Sequence, residues 1–380
     1  MKPSARTAEG LAPAAQAARS ERDLRLARLD FDRAPFTIAW ELTQACAYSC
    51  AHCRADAQPR RHPDELDTSE AFALIDELAD FGTRPILVLT GGDPLMRRDV
   101  FEIAAHATGA GLRVALTPTA TALATPARME EAKAAGVRRA AFSIDAPDAE
   151  SHDRFRGFSG SFDRTLRGME AAAEAGLPLQ VNTTVCSLNE HAIEEMVPFL
   201  TGLDIVQWSV FFLVPTGRGR ALGMLSAERH ERMIRRLDEL SSGFPFDLKI
   251  TAAPQHRRIA LERARAGELA GAGYHFPDGL RRPAKGVNDA RGFMFVSHRG
   301  EVMPSGFLPL PGGNARKDGA VDVYRDAPLF RELRDPTLLR GKCGRCEFRE
   351  VCGGSRARAY AVTGDYLAED PSCPYQPTAP

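Results

Sequence analysis

The chain has 380 residues, enough for two domains or for one large domain with an appendage. With 44% hydrophobic and 26% charged residues it has the composition of an ordinary globular protein, and a net charge of −1 excludes the basic footprint of a nucleic-acid binder. No apolar run approaches the roughly 20 residues of a membrane helix, so neither nucleic acid nor a membrane is expected as a partner.

Residues 1–34 open with "MKPSARTAEGLAPAAQAARSERD", which is Ala-rich and polar and lacks the apolar core of a signal peptide. They are expected to form an N-terminal tail, and the expected compartment is the reducing cytoplasm. There, eight cysteines point to metal or redox chemistry rather than to disulfides. They fall into three groups: Cys46, Cys50 and Cys53; Cys343, Cys346, Cys352 and Cys373; and Cys186 by itself.

From 35 to 250 two textures alternate. Short β-rich runs ("FTIAWELT", "PILVLTGG", "RVALTPTA", "AAFSIDA", "PLQVNTTV", "VQWSVFFLV") are separated by helical stretches. In "TSEAFALIDELADFG", Leu74, Ile75, Leu78 and Phe81 share one helical face, Thr68 or Ser69 caps the start and Gly82 closes the end. "SFDRTLRGMEAAAEAGL" and "SAERHERMIRRLDELSS" read the same way. Repeated strand–helix alternation predicts a parallel sheet with helical crossovers. The apolar strand runs predict cover on both faces. A full or partial barrel and a doubly wound open sheet both satisfy this pattern. From 251 to 380 the helical patterning weakens. "GFMFVSHRGEVMPSG" predicts a hairpin turning at His298 to Glu301, a Gly/Pro-rich stretch follows, and the second cysteine group closes a small module that a metal would help to hold.

Cys46 directly follows the first strand, so the C-x3-C-x2-C triplet sits at the strand's C-terminal end, where parallel α/β folds build active sites. Three thiolates can hold three irons of a 4Fe–4S cubane and leave the fourth iron open to a small molecule. The alternatives are a zinc site completed by His52 or a distant residue, and unrelated buried thiols. A second turn, "LTGGDPL", follows the second strand with Gly91, Gly92, Asp93 and Pro94. Its glycines permit close backbone approach.

The triplet followed by this turn resembles the radical S-adenosylmethionine (SAM) superfamily, which more often has Glu where Asp93 stands. The resemblance covers about residues 35–250 and implies an α/β fold, a partial (β/α)6 TIM-like barrel. It implies a 4Fe–4S cluster on Cys46, Cys50 and Cys53 that binds SAM, and a reduced flavodoxin- or ferredoxin-type electron donor. It further implies SAM contacts at Gly91, Gly92, Asp93 and Pro94, at Ser143 ("FSID"), at Arg156 ("HDRFRG") toward the carboxylate, at Asn182, and at Leu213 and Val214 against the adenine.

The spacing Cys343-x2-Cys346-x5-Cys352-x20-Cys373 supplies four thiols, enough for a tetrahedral zinc or a fully ligated 4Fe–4S cluster. Beside the superfamily resemblance this end is similar to SPASM or twitch modules, which implies one auxiliary 4Fe–4S cluster. Ser305 and Ser355 stand where relatives have cysteine. Cys186 reads as a buried, inert thiol.

"CAHCRADA" and "VCGGSRARAYAVTGDYLAEDPSCPY" resemble the branch of the haem d1 and alternative haem biosynthesis enzymes, and also the mycofactocin maturase. The leading expectation is hydrogen abstraction from a carboxylate-bearing tetrapyrrole side chain. The second is maturation of a ribosomal peptide, and the third a non-catalytic zinc or iron–sulfur protein. Arg218 and Arg220 in "PTGRGR" are candidates for the substrate carboxylate, against the plainer reading of solvated surface arginines.

Overall fold

The computed structural model describes residues 29–266 and 286–378, so most of the expected tail at 1–34 lies outside the described residues. Six strand–helix units follow one another: β1 Thr37–Glu41, α1 Thr68–Ala79, β2 Ile86–Thr90, α2 Val100–Gly109, β3 Arg113–Leu116, α3 Pro126–Ala134, β4 Arg139–Ser143, α4 Ala149–Arg156, α5 Ser161–Glu174, β5 Leu179–Val185, α6 Met196–Thr201, β6 Ile205–Phe212 and α7 Ala227–Ser241. A seventh strand, β7 Asp247–Thr251, and helix α8 Gln255–Arg265 complete this part. Strands β1 to β7 pair in sequence order, each parallel to the next.

The C-terminal segment joins the same sheet. Its β8 Phe293–Val296 pairs in parallel with the free edge of β1, and β9 Glu301–Met303 and β10 Gly313–Asn314 continue outward antiparallel. The hairpin expected at His298 is present, with Ser297 N donating to Glu301 O at 2.9 Å. The result is a partial barrel of parallel strands, wrapped by helices and flanked by a cysteine-rich C-terminal module. No helix among the described residues is long and apolar enough to cross a membrane.

The core lies between strands and helices. Ile38, Trp40, Leu87, Leu89, Val114 and Leu116 point outward from β1 to β3 and are buried with Leu74, Ile75 and Leu78 of α1. Each such side chain contributes about 1.5–3 kcal/mol on burial. The inner face departs from the expectation of apolar cover on both sides. Strand β5 alternates buried and half-buried positions, and its inner residues Gln180 and Asn182 hydrogen-bond each other at 2.8 Å. Arg139 of β4 donates to Gln207 of β6 at 2.8 Å. The lumen is therefore polar, unlike the packed interior of a closed (β/α)8 barrel.

Helix α1 is capped by Asp67 rather than by Thr68 or Ser69. Asp67 and Glu70 form a reciprocal capping box, and Thr68 instead donates to Asp99 at 2.8 Å.

Candidate functional site

The C-terminal end of β1 releases the chain into a loop that carries Cys46, Cys50 and Cys53, and the turn after β2 packs directly beneath it. Gly92 N donates to Thr43 O at 2.8 Å and Asp93 N to Ala45 O at 2.7 Å. A Cβ on Gly91 would stand 2.5 Å from Thr43 O, and one on Gly92 only 2.3 Å from Ala45 O. The paired glycines exist because two backbones touch here.

Asp93 is fully buried, and its carboxylate accepts from Thr121 Oγ1 at 2.6 Å and from Leu95 N at 3.2 Å. Burial raises its pKa against those hydrogen bonds. The side chain thus ties the turn to the loop after β3, while Pro94 starts a short 3-10 turn.

The three thiols lie close enough to influence one another. Burial pushes Cys46 up to about 11, and the Cys50 sulfur adds to the rise; Cys50 is raised by burial and by Cys53. Backbone amides approach the sulfurs, Tyr48 N to Cys46 Sγ and Ala57 N to Cys53 Sγ, both at 3.4 Å. Buried, mutually repelling thiols with amide donors suit a cationic, sulfur-rich centre, which reverses the pKa penalty. The ring of His52, weighed as a further ligand to this group, stacks on Phe155 at 4.6 Å.

Arg156, expected to face a carboxylate ligand, is ion-paired with buried Asp145 at 2.6 Å and reaches Cys50 Sγ at 3.9 Å. Burial alone would raise Asp145, but Arg156, His52, His152 and the Thr184 amide together outweigh it and hold the carboxyl below its usual range. Ser143 ends β4 and lies in register with Asn182, which lies in register with Ser209. These three form a polar row across the lumen at the cysteine end. Leu213 and Val214 are buried just past β6, Leu213 in one apolar cluster with Phe155 and Cys186. Cys186 is wholly buried, and burial pushes its thiol up, as an inert thiol requires.

Arg218 is tied to the cysteine loop, with its side chain partly exposed. Its Nε donates to Cys50 O at 3.0 Å and its Nη1 to Ala57 O at 3.0 Å, while its backbone N donates to Cys53 O at 3.0 Å. A Cβ on the preceding Gly217 would stand 2.4 Å from Cys53 O. The loop after β6 therefore clamps the cysteine loop from above. Arg220 is exposed.

Sequence reasoning missed a third brace. Glu41, the last residue of β1, is 4% exposed and accepts from Arg54 Nη2 at 2.8 Å and from His298 Nδ1 at 2.7 Å. Burial alone raises its pKa, yet Arg54 and His298 outweigh it and hold it below the usual range. Arg54 directly follows Cys53, so Glu41 links the cysteine loop to the C-terminal hairpin. A carboxylate ending an apolar strand run ("WELT") was the available signal.

The second cysteine group lines one small cavity of about 20 Å³, where Cys343, Cys346, Cys352 and Cys373 meet Arg258 and Asp370. Burial pushes Cys352 up to about 12 and Cys373 to about 11. Cys343 Sγ accepts from Asp370 N at 3.4 Å and Arg356 Nη2 at 3.6 Å; Cys346 Sγ accepts from Phe348 N at 3.4 Å. The two serines expected at cysteine positions serve locally: Ser305 Oγ accepts from Phe307 N, and Ser355 Oγ caps the helix Arg356–Thr363.

The family description "Radical SAM superfamily" matches residues 40–200. The chain is 46% identical over 345 residues to the AdoMet-dependent heme synthase of Methanosarcina barkeri (strain Fusaro / DSM 804), covering 90% of this chain and 97% of that protein. It is 42% identical over 342 residues to the AdoMet-dependent heme synthase of Nitratidesulfovibrio vulgaris, covering 90% and 92%. The crystal structure of Streptococcus suis SuiB bound to S-adenosylmethionine superposes with a TM-score of 0.68 at 16% identity, covering 90% of this chain and 78% of that one, which establishes the shared fold. Whole-length similarity at this level, with the triplet and the glycine turn seated together, places the chain: it is an enzyme and belongs to the radical SAM superfamily.

Proposed function

We propose that this enzyme abstracts a hydrogen atom from a carboxylate-bearing side chain of an iron tetrapyrrole in haem formation. The observation that carries this reading is the 46% identity to a heme synthase across 97% of that protein. Cys46, Cys50 and Cys53 are assigned to the SAM-binding 4Fe–4S cluster, and Cys343, Cys346, Cys352 and Cys373 to a second 4Fe–4S cluster. When bound, the first cluster and SAM supply a 5′-deoxyadenosyl radical and the second supplies a further one-electron centre.

The chain's own residues hold, orient and enclose these groups. The Gly91–Gly92 turn seats its backbone directly against the cysteine loop, where no side chain intervenes. Arg156 places a positive charge beside Cys50 and favours its thiolate. Arg218 and Glu41–Arg54 fix the loop from two sides, so the thiols stand in a preset arrangement. The polar row Ser143, Asn182 and Ser209 provides hydrogen-bonding groups facing the lumen. The electron donor is assigned as a reduced flavodoxin or ferredoxin, and the compartment as the cytoplasm.

The test is anaerobic reconstitution followed by a SAM-cleavage assay. About eight iron and eight sulfide per chain are expected. 5′-Deoxyadenosine release should rise when iron coproporphyrin III is added and stay at background with candidate peptides. Stimulation by a peptide and not by the porphyrin would overturn the substrate reading and leave maturation of a peptide. About four iron with one zinc would remove the second cluster.

A further inference from the structure

Among the described residues His52, His152, His230 and His298 each have a buried ring nitrogen without a hydrogen-bond partner, and of these His298 has a carboxylate on its other nitrogen. Its side chain is 10% exposed, its Nδ1 lies 2.7 Å from Glu41 Oε1, and its Nε2 is buried with no hydrogen-bond partner. Glu41 is ionised and has no proton to give, so Nδ1 is the donor, and in the neutral form of the ring the lone pair lies on Nε2. His152 is the instructive contrast. Its Nε2 is also unpartnered, but its Nδ1 accepts from Asp145 N, so Nε2 must carry the proton and has no lone pair to offer. An orphaned acceptor costs about 1–3 kcal/mol, which calls for an explanation.

A carboxylate hydrogen-bonded to one imidazole nitrogen while the other is left open is the arrangement by which proteins orient a metal-ligating histidine and raise its basicity. The position fits the same role. β8 runs parallel to β1, so the turn that carries His298 lies at the barrel end that also carries the cysteine loop. Glu41 holds His298 and Arg54 at once, and Arg54 adjoins Cys53. Arg54 also covers the ring of Phe295, on the strand that leads to His298, at 4.6 Å. The cover over His298 is light. The ring of His62 tilts against it at 5.5 Å, and His62 is carried by the stretch 58–64, whose other residues are exposed.

We propose that His298 is an axial ligand, through Nε2, to the iron of the tetrapyrrole substrate, with Glu41 orienting it and His62 moving aside on binding. This rests on the tetrapyrrole reading above. It adds that the enzyme recognises the metal at the ring's centre as well as the carboxylates at its edge, which distinguishes an iron porphyrin from the metal-free ring.

The test titrates the reconstituted enzyme with iron coproporphyrin III and, separately, with metal-free coproporphyrin III. Iron binding is read by absorption and electron paramagnetic resonance, and metal-free binding by fluorescence. Wild type should give a histidine-ligated iron spectrum. His298→Gln, which retains a donor toward Glu41, should lose that spectrum and weaken iron-porphyrin binding at least about tenfold, the scale of disrupted metal ligation. Its metal-free binding should remain at the wild-type value. Added imidazole should restore the spectrum in His298→Ala. Glu41→Gln should keep the ligand and shift the bound iron's reduction potential upward. A wild-type iron spectrum in both His298 variants overturns the proposal, as does a parallel loss of both rings. If the wild type binds the metal-free ring but shows no histidine ligation, the ligation alone falls. If it binds neither ring, the tetrapyrrole reading falls as well.

Discussion

Replacing Gly92 with alanine tests whether the turn after β2 supports the cysteine loop as its contacts indicate. The new Cβ would stand 2.3 Å from Ala45 O and 2.7 Å from Gln44 O, and both obstacles are backbone. Carbon packs comfortably at about 3.5 Å or more, so one backbone must retreat by about 1 Å. That movement breaks or stretches Gly92 N to Thr43 O and Asp93 N to Ala45 O, now 2.8 and 2.7 Å. Overpacking costs about 1–3 kcal/mol and each weakened hydrogen bond about 0.5–1.5, so Gly92→Ala should destabilise by about 2–6 kcal/mol. Gly109→Ala is the matched control. Gly109 ends α2 on the surface, its φ is not positive, and a Cβ placed there would meet nothing within 4 Å. It should be neutral or stabilising by up to about 1 kcal/mol. The assay is anaerobic urea unfolding of both variants, with SAM affinity by equilibrium dialysis. Gly92→Ala should also weaken SAM binding while leaving the iron on Cys343, Cys346, Cys352 and Cys373. Equal stability and equal SAM affinity in the two variants would refute the close approach.

Arg218→Ala removes two charged hydrogen bonds to the carbonyls of Cys50 and Ala57. With the side chain 28% exposed, water recovers part of the loss, and about 2–4 kcal/mol is expected. Iron retained per chain should fall on gel filtration, and Arg218→Lys should restore it incompletely because an ammonium cannot span both carbonyls; full retention in Arg218→Ala would contradict the clamp. Burial pushes His230 and His256 down to about 3 each. An unfolded histidine titrates near about 6.5, so below that pH the unfolded chain binds protons that the folded chain refuses. Stability should therefore fall as pH drops from about 6.5 toward about 5, by up to about 1.4 kcal/mol per pH unit for each histidine. His230→Asn should flatten the dependence of the urea midpoint on pH, and an unchanged slope would show that His230 is not buried as a neutral ring.

The barrel and the seat of the cysteine loop were legible because their signals are local. A run such as "PILVLTGG" states both a buried strand and the special turn that ends it, and α1 carries its own apolar stripe. What the sequence hid is pairing between distant residues. Nothing in "GFMFVSHRGEV" shows that its first strand will lie against β1, since β pairing leaves no trace in the composition of either partner. The same limit hid Glu41, whose partners lie 13 and 257 residues away. Arg156 and Arg218 were visible as arginines near the right loops, but a guanidinium toward a ligand and one that staples backbone carbonyls look alike in sequence. The polar lumen was half legible: "LQVNTTV" alternates, yet its neighbours' apolar texture argued for cover on both faces.

The buried Arg358–Asp370 pair ties the C-terminal cysteine module to the barrel. Arg358 is wholly buried and donates to Ala252 O at 2.7 Å and to Phe212 O at 3.3 Å, the chain ends of β6 and β7. Its guanidinium also meets Asp370 at 3.4 Å. Asp370 accepts from Ser355 N and Gln255 at 2.7 Å, and its own amide donates to Cys343 Sγ. Burial favours neutral forms on both sides, yet their mutual attraction keeps Asp370 below its usual range. A buried pair of this kind contributes little net stability over an apolar substitute. Its effect is geometric: the end of the barrel at Leu213, which packs beside Phe155 and Cys186, and the sulfur of Cys343 are held by one unbroken set of hydrogen bonds. A displacement of the Cys343 loop is therefore opposed at the ends of β6 and β7. The C-terminal cysteine module thus keeps a fixed seat on the barrel even though the loops that carry its thiols contain little regular secondary structure.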